Sequence, residues 1–110
     1  MEFQSLESLE QLDEIVVSKG NSIIFKHNTT CPISRNAKRK LQEDGDLLPD
    51  NTPVFLVDLI ANREISNAVA NKLNVKHESP QLLVIKDGKC TYNESLFNIS
   101  VEETAQALSE

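Results

Sequence analysis

Two residues in this sequence have the type and spacing to do chemistry together. They are Cys31 and Ser34, in the run Ser22-Ile23-Ile24-Phe25-Lys26-His27-Asn28-Thr29-Thr30-Cys31-Pro32-Ile33-Ser34-Arg35. The run reads as a short apolar strand, a polar turn, a cysteine, and a helix opened by Pro32. A thiol at a helix start meets free backbone N–H groups and the positive end of the helix dipole, and both favour the thiolate. The thiolate is the nucleophilic form, so this position points to thiol chemistry. A dithiol reductant would carry Cys-x-x-Cys; here Ser34 holds the second position. One turn after the thiol, its hydroxyl is placed either to donate to the thiolate or to cap the helix start. Thr30 either orients the turn or merely favours it.

Other reactive types are weaker candidates. Cys90 lies far along the chain, and a free cysteine is commonly a buried, inert group. A resolving role would require its Cα within about 7 Å of that of Cys31. His27 and His77 have no zinc-type spacing with the cysteines, so no metal site is expected. Arg35, Lys38, Arg39 and Lys40 form a basic cluster starting just after the thiol. The cluster is either a solvated helix face or, through Arg35 and Lys38, a set of cations that stabilise thiolate and attract an anionic thiol.

The elements that must position these groups follow from patterning. Leu6, Leu9, Leu12, Ile15 and Val16 recur at helical spacing, which predicts a helix capped by Ser5 and ended near Gly20. Residues 22–26 are predicted as a strand, and 33–44 as a helix with Gly45 just past its end. Residues 46–53 are a loop broken by Pro49 and Pro53. The run Val54 to Leu59 suits a strand buried on both faces. Asn62 can cap a helix running to Leu73. Gln81 to Lys86 and Lys89 to Asn93 are strands joined by Asp87-Gly88, a strong hairpin signal. Ser100-Val101-Glu102-Glu103 is a capping box for a last helix. The order α-β-α-β-α-β-β-α implies an α/β fold. Two β-α-β units supply parallel strands and the hairpin an antiparallel edge, in a four-stranded mixed sheet flanked by helices on both faces.

The totals set the frame. A chain of 110 residues fits one domain, 1–110, with one core. Aromatic content is 5% and tryptophan is absent, which argues against base-stacking platforms. A net charge of −6 disfavours nucleic acid and anionic membranes. The N-terminus has no signal-peptide pattern, and no apolar run reaches a membrane span. A cytoplasmic protein is therefore expected, where a Cys31–Cys90 disulfide would be reduced.

At three places the chain resembles the thioredoxin superfamily: Cys31-Pro32-Ile33-Ser34 after a strand, Ser79-Pro80 before another, and the Asp87-Gly88 hairpin. Within it, Thr30-Cys31-Pro32-Ile33-Ser34 resembles the monothiol bacilliredoxin (YtxJ-like) family, and the likeness spans essentially the whole chain. Pro80 read alone is a strand-initiating proline; the resemblance implies a cis bond there. It also implies that Ser79 and Pro80 contact substrate, with Thr30 and Pro32 beside them. Thioredoxins carry a buried acid six residues before the nucleophilic cysteine, where this chain has Phe25. The missing acid and the missing second thiol fit a one-cysteine cycle. The implied activity is removal of bacillithiol from S-bacillithiolated proteins through a Cys31 mixed disulfide. Bacillithiol would be the thiol co-substrate, with no tightly bound cofactor and no metal. Two alternatives stand beside it: a stress-response interaction protein without redox catalysis, and a dithiol reductase using Cys31 and Cys90.

Overall fold

The computed structural model describes residues 1–110. Its elements are β1 (Phe3–Ser5), α1 (Leu9–Val17), β2 (Asn21–His27), α2 (Pro32–Glu43), β3 (Val54–Asp58), α3 (Arg63–Leu73), β4 (Gln81–Lys86), β5 (Lys89–Ser95) and α4 (Val101–Ser109), with 3-10 turns at Gly45–Leu47 and Leu96–Asn98. The sheet order is β1-β3-β2-β4-β5. It has five strands rather than the four expected. The extra strand, β1, pairs in parallel with β3, with Phe3 opposite Val54. Three residues, Phe-Gln-Ser, are too short to show an alternating pattern.

The parallel units also differ from expectation. The β2-α2-β3 crossover is parallel, but β4 runs antiparallel to β2. The second parallel unit is β1-α1-β2, because β1 and β2 both pair in parallel with β3. The first helix begins later than its apolar spacing suggested. Its N-cap is Ser8, which forms a reciprocal capping box with Gln11. Leu6 therefore belongs to the β1–α1 connection, where its N–H donates to Leu56 O at 2.8 Å. Leu9 is left on the exposed side of the helix.

Strand alternation in β2 sends side chains to two cores. Ile23 and Phe25 pack with Ala37 and Leu41 of α2 and with Val101 and Leu108 of α4. Ile24 packs with Leu12 and Ile15 of α1 and Ile65 and Val69 of α3. Full burial of each such side chain contributes roughly 1.5–3 kcal/mol. The β4–β5 hairpin turns at Asp87 (φ 50°) and Gly88 (φ 81°), the pair of positive angles a type I′ turn needs. A Cβ on Gly88 would sit 1.9 Å from Val16 O, so this turn also closes against the end of α1. Asp87 is tied to the start of β2, accepting from Gly20 N at 2.8 Å. Hairpin and thiol turn thus occupy opposite ends of the sheet.

Candidate active site

Cys31 is the N-cap of α2, with extended backbone (φ −98°, ψ 120°) and Pro32 in the first turn. Proline suits this place, because its missing N–H would lack a helical partner anyway. The Cys31 side chain makes no capping hydrogen bond. The thiol is half-buried and free. Its backbone is fixed from both sides: Cys31 N donates to Asn28 O at 3.1 Å, and Arg35 N donates to Cys31 O at 3.0 Å. Asn28 shapes the turn between them. Its Oδ1 accepts from Thr30 N at 3.0 Å and Thr30 Oγ1 at 2.8 Å. Thr30 thus braces the turn through its hydroxyl, and both Thr30 and Pro32 are exposed beside the thiol.

Ser34 is fully buried. Its Oγ accepts from Asn28 N at 2.9 Å and lies 2.6 Å from His27 Nδ1. No hydrogen bond joins it to Cys31. His27, the last residue of β2, is also buried and stacks on Phe25 with ring centroids 5.7 Å apart. Burial holds its pKa below the ordinary histidine value; the Lys38 ammonium pushes the same way and the Asp58 carboxylate opposes. The neutral ring therefore dominates at neutral pH. Sequence reasoning weighed His27 only as a metal ligand. The signal for its actual place was strand alternation: His27 shares the face of Ile23 and Phe25, which is covered by α2.

The basic cluster does not act as one group. Arg39 pairs with Glu43 at 2.8 Å and also bonds Asn36. Lys38 Nζ lies 5.9 Å from the centre of the Phe3 ring, toward the β1 edge. Arg35 is exposed in the first turn and has no side-chain partner, which leaves it available at the thiol end of the helix.

Ser79-Pro80 is a cis peptide. It directly precedes β4, whose first residue, Gln81, lies opposite Lys26 of β2. The Ser79-Pro80 segment and Cys31 therefore share one end of the sheet. Pro80 O accepts from Leu96 N at 3.0 Å, which ties this segment to the turn after β5. Ser79 Oγ is buried without a hydrogen-bond partner.

Cys90 belongs to the other end. It pairs with Ile85, which pairs with Ser22 near the start of β2. From Ser22 to His27 the strand advances roughly 17 Å, and the thiol turn lies beyond that. Its side chain packs on the α1–α3 face, its Sγ–H donates to Tyr92 O at 3.3 Å, and burial raises its pKa. His77 also stands on the α1–α3 face, with Lys26 and Ser66, away from His27.

This arrangement has relatives. A family model described as Monothiol bacilliredoxin BrxC matches residues 4–104. The chain belongs to the monothiol bacilliredoxin family. It is 30% identical to the solved structure of a proposed oxidoreductase with a thioredoxin fold, over 96% of this chain and 92% of that one, with a TM-score of 0.82. Thioredoxin from Trypanosoma brucei brucei is 18% identical over 98% of this chain and 88% of its own, with a TM-score of 0.77. An N21Q mutant thioredoxin from Halobacterium salinarum NRC-1 is 12% identical over 99% and 92%, with a TM-score of 0.75. These last two show the fold alone. Family and fold together make this bacilliredoxin a thiol oxidoreductase. No helix is long and apolar enough to cross a membrane.

Proposed function

We propose that the protein removes bacillithiol from S-bacillithiolated proteins by a cycle that uses one cysteine. Cys31 thiolate attacks the bacillithiol sulfur of a protein–S–S–bacillithiol adduct. The old S–S bond breaks, the target cysteine leaves as thiolate and takes a proton from solvent, and Cys31 carries the bacillithiol as a mixed disulfide. A second bacillithiol thiolate then attacks that adduct, frees Cys31, and leaves as bacillithiol disulfide. No metal and no tightly bound cofactor enters this cycle.

The observation that carries the reading is the isolation of a free, half-buried thiol at a helix N-terminus, with a serine one turn on and the second cysteine at the far end of the sheet. That separation disfavours a Cys31–Cys90 dithiol cycle, since bridging needs Cα atoms within about 7 Å. Buried Ser79 Oγ, without a partner, supports a contact with the incoming chain beside Pro80. Arg35 is the cation best placed to meet the carboxylates of bacillithiol. The test is release of bacillithiol from a modified target protein. Cys31→Ser should abolish it and Cys90→Ser should retain most of it. A folded Cys90→Ser protein without activity would overturn the one-cysteine cycle.

A further inference from the structure

The loop between α3 and β4 carries Ser79-Pro80 to the thiol end of the sheet, and its middle is tied down at a single atom. Its ends are fixed through backbone groups. Val75 N donates to Ala70 O at 3.0 Å, Lys76 O accepts from Gln81 Nε2 at 3.0 Å, and Pro80 O accepts from Leu96 N at 3.0 Å. Between these points the backbone of His77, Glu78 and Ser79 makes no hydrogen bond. The Ser79 hydroxyl has no partner either. The polar ties of these three residues therefore all run through His77 Nδ1, which lies 3.0 Å from Lys26 Nζ and 3.5 Å from Ser66 Oγ.

The Lys26 contact works in one protonation state of the ring. A lysine ammonium has hydrogens to donate and no lone pair to offer. Nδ1 must then be bare, with the proton of the neutral ring on Nε2. Lys26 is fully buried, and its pKa of about 8 leaves it mostly charged at neutral pH and more so in acid. A second proton on the ring would set two donors and two positive charges against each other at this contact. No ion pair engages either group to offset that. The charged groups facing His77 are Lys26 on β2, Arg63 on α3 and Glu78 beside it in the loop. Burial, then Lys26 and Arg63, hold its pKa below the ordinary histidine value, and the Glu78 carboxylate opposes them.

We propose that His77 is an acid-released latch on the α3–β4 loop: its neutral ring pins residues 77–79 to Lys26, and protonation at Nδ1 breaks that tie and loosens the approach to Ser79-Pro80. One proton passes from solvent to the ring, Lys26 keeps its own, and nothing else is transferred. The sign follows from linkage. A loosened loop binds the ring proton more tightly than the pinned one. Pinning is therefore complete above the ordinary value of 6.5 and is lost as pH falls below it, through the lowered value. Its consequence for turnover rests on the proposed substrate contact at Ser79-Pro80. The latch itself is tested with neither bacillithiol nor substrate present, so the two can fail separately.

Nitrogen-15 relaxation gives order parameters for residues 77–79, and ring nitrogen shifts follow the protons on His77, as pH is lowered from neutral. At neutral pH Nδ1 should be bare and the order parameters close to the ~0.85 of rigid backbone; as the ring titrates they should fall to about 0.6 or below. His77→Gln keeps an acceptor that does not titrate, so its loop should stay rigid throughout. In Lys26→Met the His77 midpoint should move up, because one opposing cation is gone. Order parameters unchanged while the ring takes its proton would overturn the proposal. So would a fall that persists in His77→Gln, an unmoved midpoint in Lys26→Met, a proton on Nδ1 of the neutral ring, or a ring that stays neutral until the whole protein unfolds. Should His77→Gln fail to fold, the wild-type titration alone decides.

Discussion

Lys26 Nζ lies 3.0 Å from His77 Nδ1, and no carboxylate pairs with it. Lys26 is fully buried on the α3 face of β2, and burial lowers its pKa to about 8. Between about 8 and the ordinary 10.5, the unfolded chain keeps a proton on this lysine that the folded chain has lost. Stability from this group therefore rises with pH across that window and is lowest below it. Lys26→Met should remove the rise. Near neutral pH the variant should be as stable as wild type or up to about 2 kcal/mol more stable, because the replaced ammonium is buried without a counter-charge. Urea unfolding of both proteins at several pH values checks this. Parallel curves throughout would show that Lys26 keeps its full proton affinity in the fold.

The two thiols should separate by rate. Cys90 is half-buried, donates to Tyr92 O, and has its pKa raised, whereas Cys31 has no side-chain bond. At neutral pH an alkylating agent should modify Cys31 faster than Cys90, because burial holds the Cys90 thiol in its unreactive protonated form. Peptide mapping during a time course measures the ratio. Equal rates would remove the distinction on which the one-cysteine cycle depends.

Ser34→Cys should create a Cys-x-x-Cys pair within one helical turn, inside the range of Cα separations a disulfide accepts. On mild oxidation we expect an intramolecular disulfide and less accumulated mixed disulfide, since the new thiol reaches the Cys31 adduct at high effective concentration. In the reduced form the variant should lose about 1–3 kcal/mol, because Asn28 N–H and His27 give up the oxygen they share. Intact mass under non-reducing conditions and denaturant unfolding read the two effects. Accumulation of mixed disulfide equal to wild type would mean that residue 34 cannot turn from His27 to the Cys31 sulfur.

Among the basic residues, Arg35 should matter most. Arg39 is engaged by Glu43 and Asn36, and Lys38 by Phe3. Arg35→Gln should slow turnover with bacillithiol more than turnover with a neutral thiol, while Arg39→Gln should slow neither. Steady-state rates with both thiols make the comparison. Equal loss with both thiols from Arg35→Gln would indicate thiolate stabilisation rather than carboxylate recognition.

Local signals in the sequence carried much of this fold. Pro32 after Cys31, Asp87-Gly88 and Ser100 with Glu103 each mark their element through its own residues, and each lies where it was expected. Phe3–Ser5 did not stand out, because three residues show no period and pairing with β3 is a long-range choice. The antiparallel direction of β4 was hidden for the same reason. An apolar run fixes a strand but not its sense. At the site, the place of Cys31 at a helix start was legible in its own residues, whereas the cis Ser79-Pro80 bond followed only from the resemblance to the thioredoxin superfamily, since Pro80 alone reads as a strand-initiating proline. The partner of Ser34 was not. Nothing local couples residue 27 to residue 34, and the contact exists only once α2 folds back over β2. Lys26 and His77 are further apart still, and meet only when β4 brings its preceding loop beside the end of β2.

In the proposed cycle Cys31 alone carries the transferred bacillithiol. Intact mass spectrometry and peptide mapping after incubation with a bacillithiolated protein test it most directly. One bacillithiol adduct is expected, on Cys31, removed by added bacillithiol, with Cys90 unmodified. An adduct on Cys90, or a Cys31–Cys90 disulfide formed in place of the adduct, would contradict it.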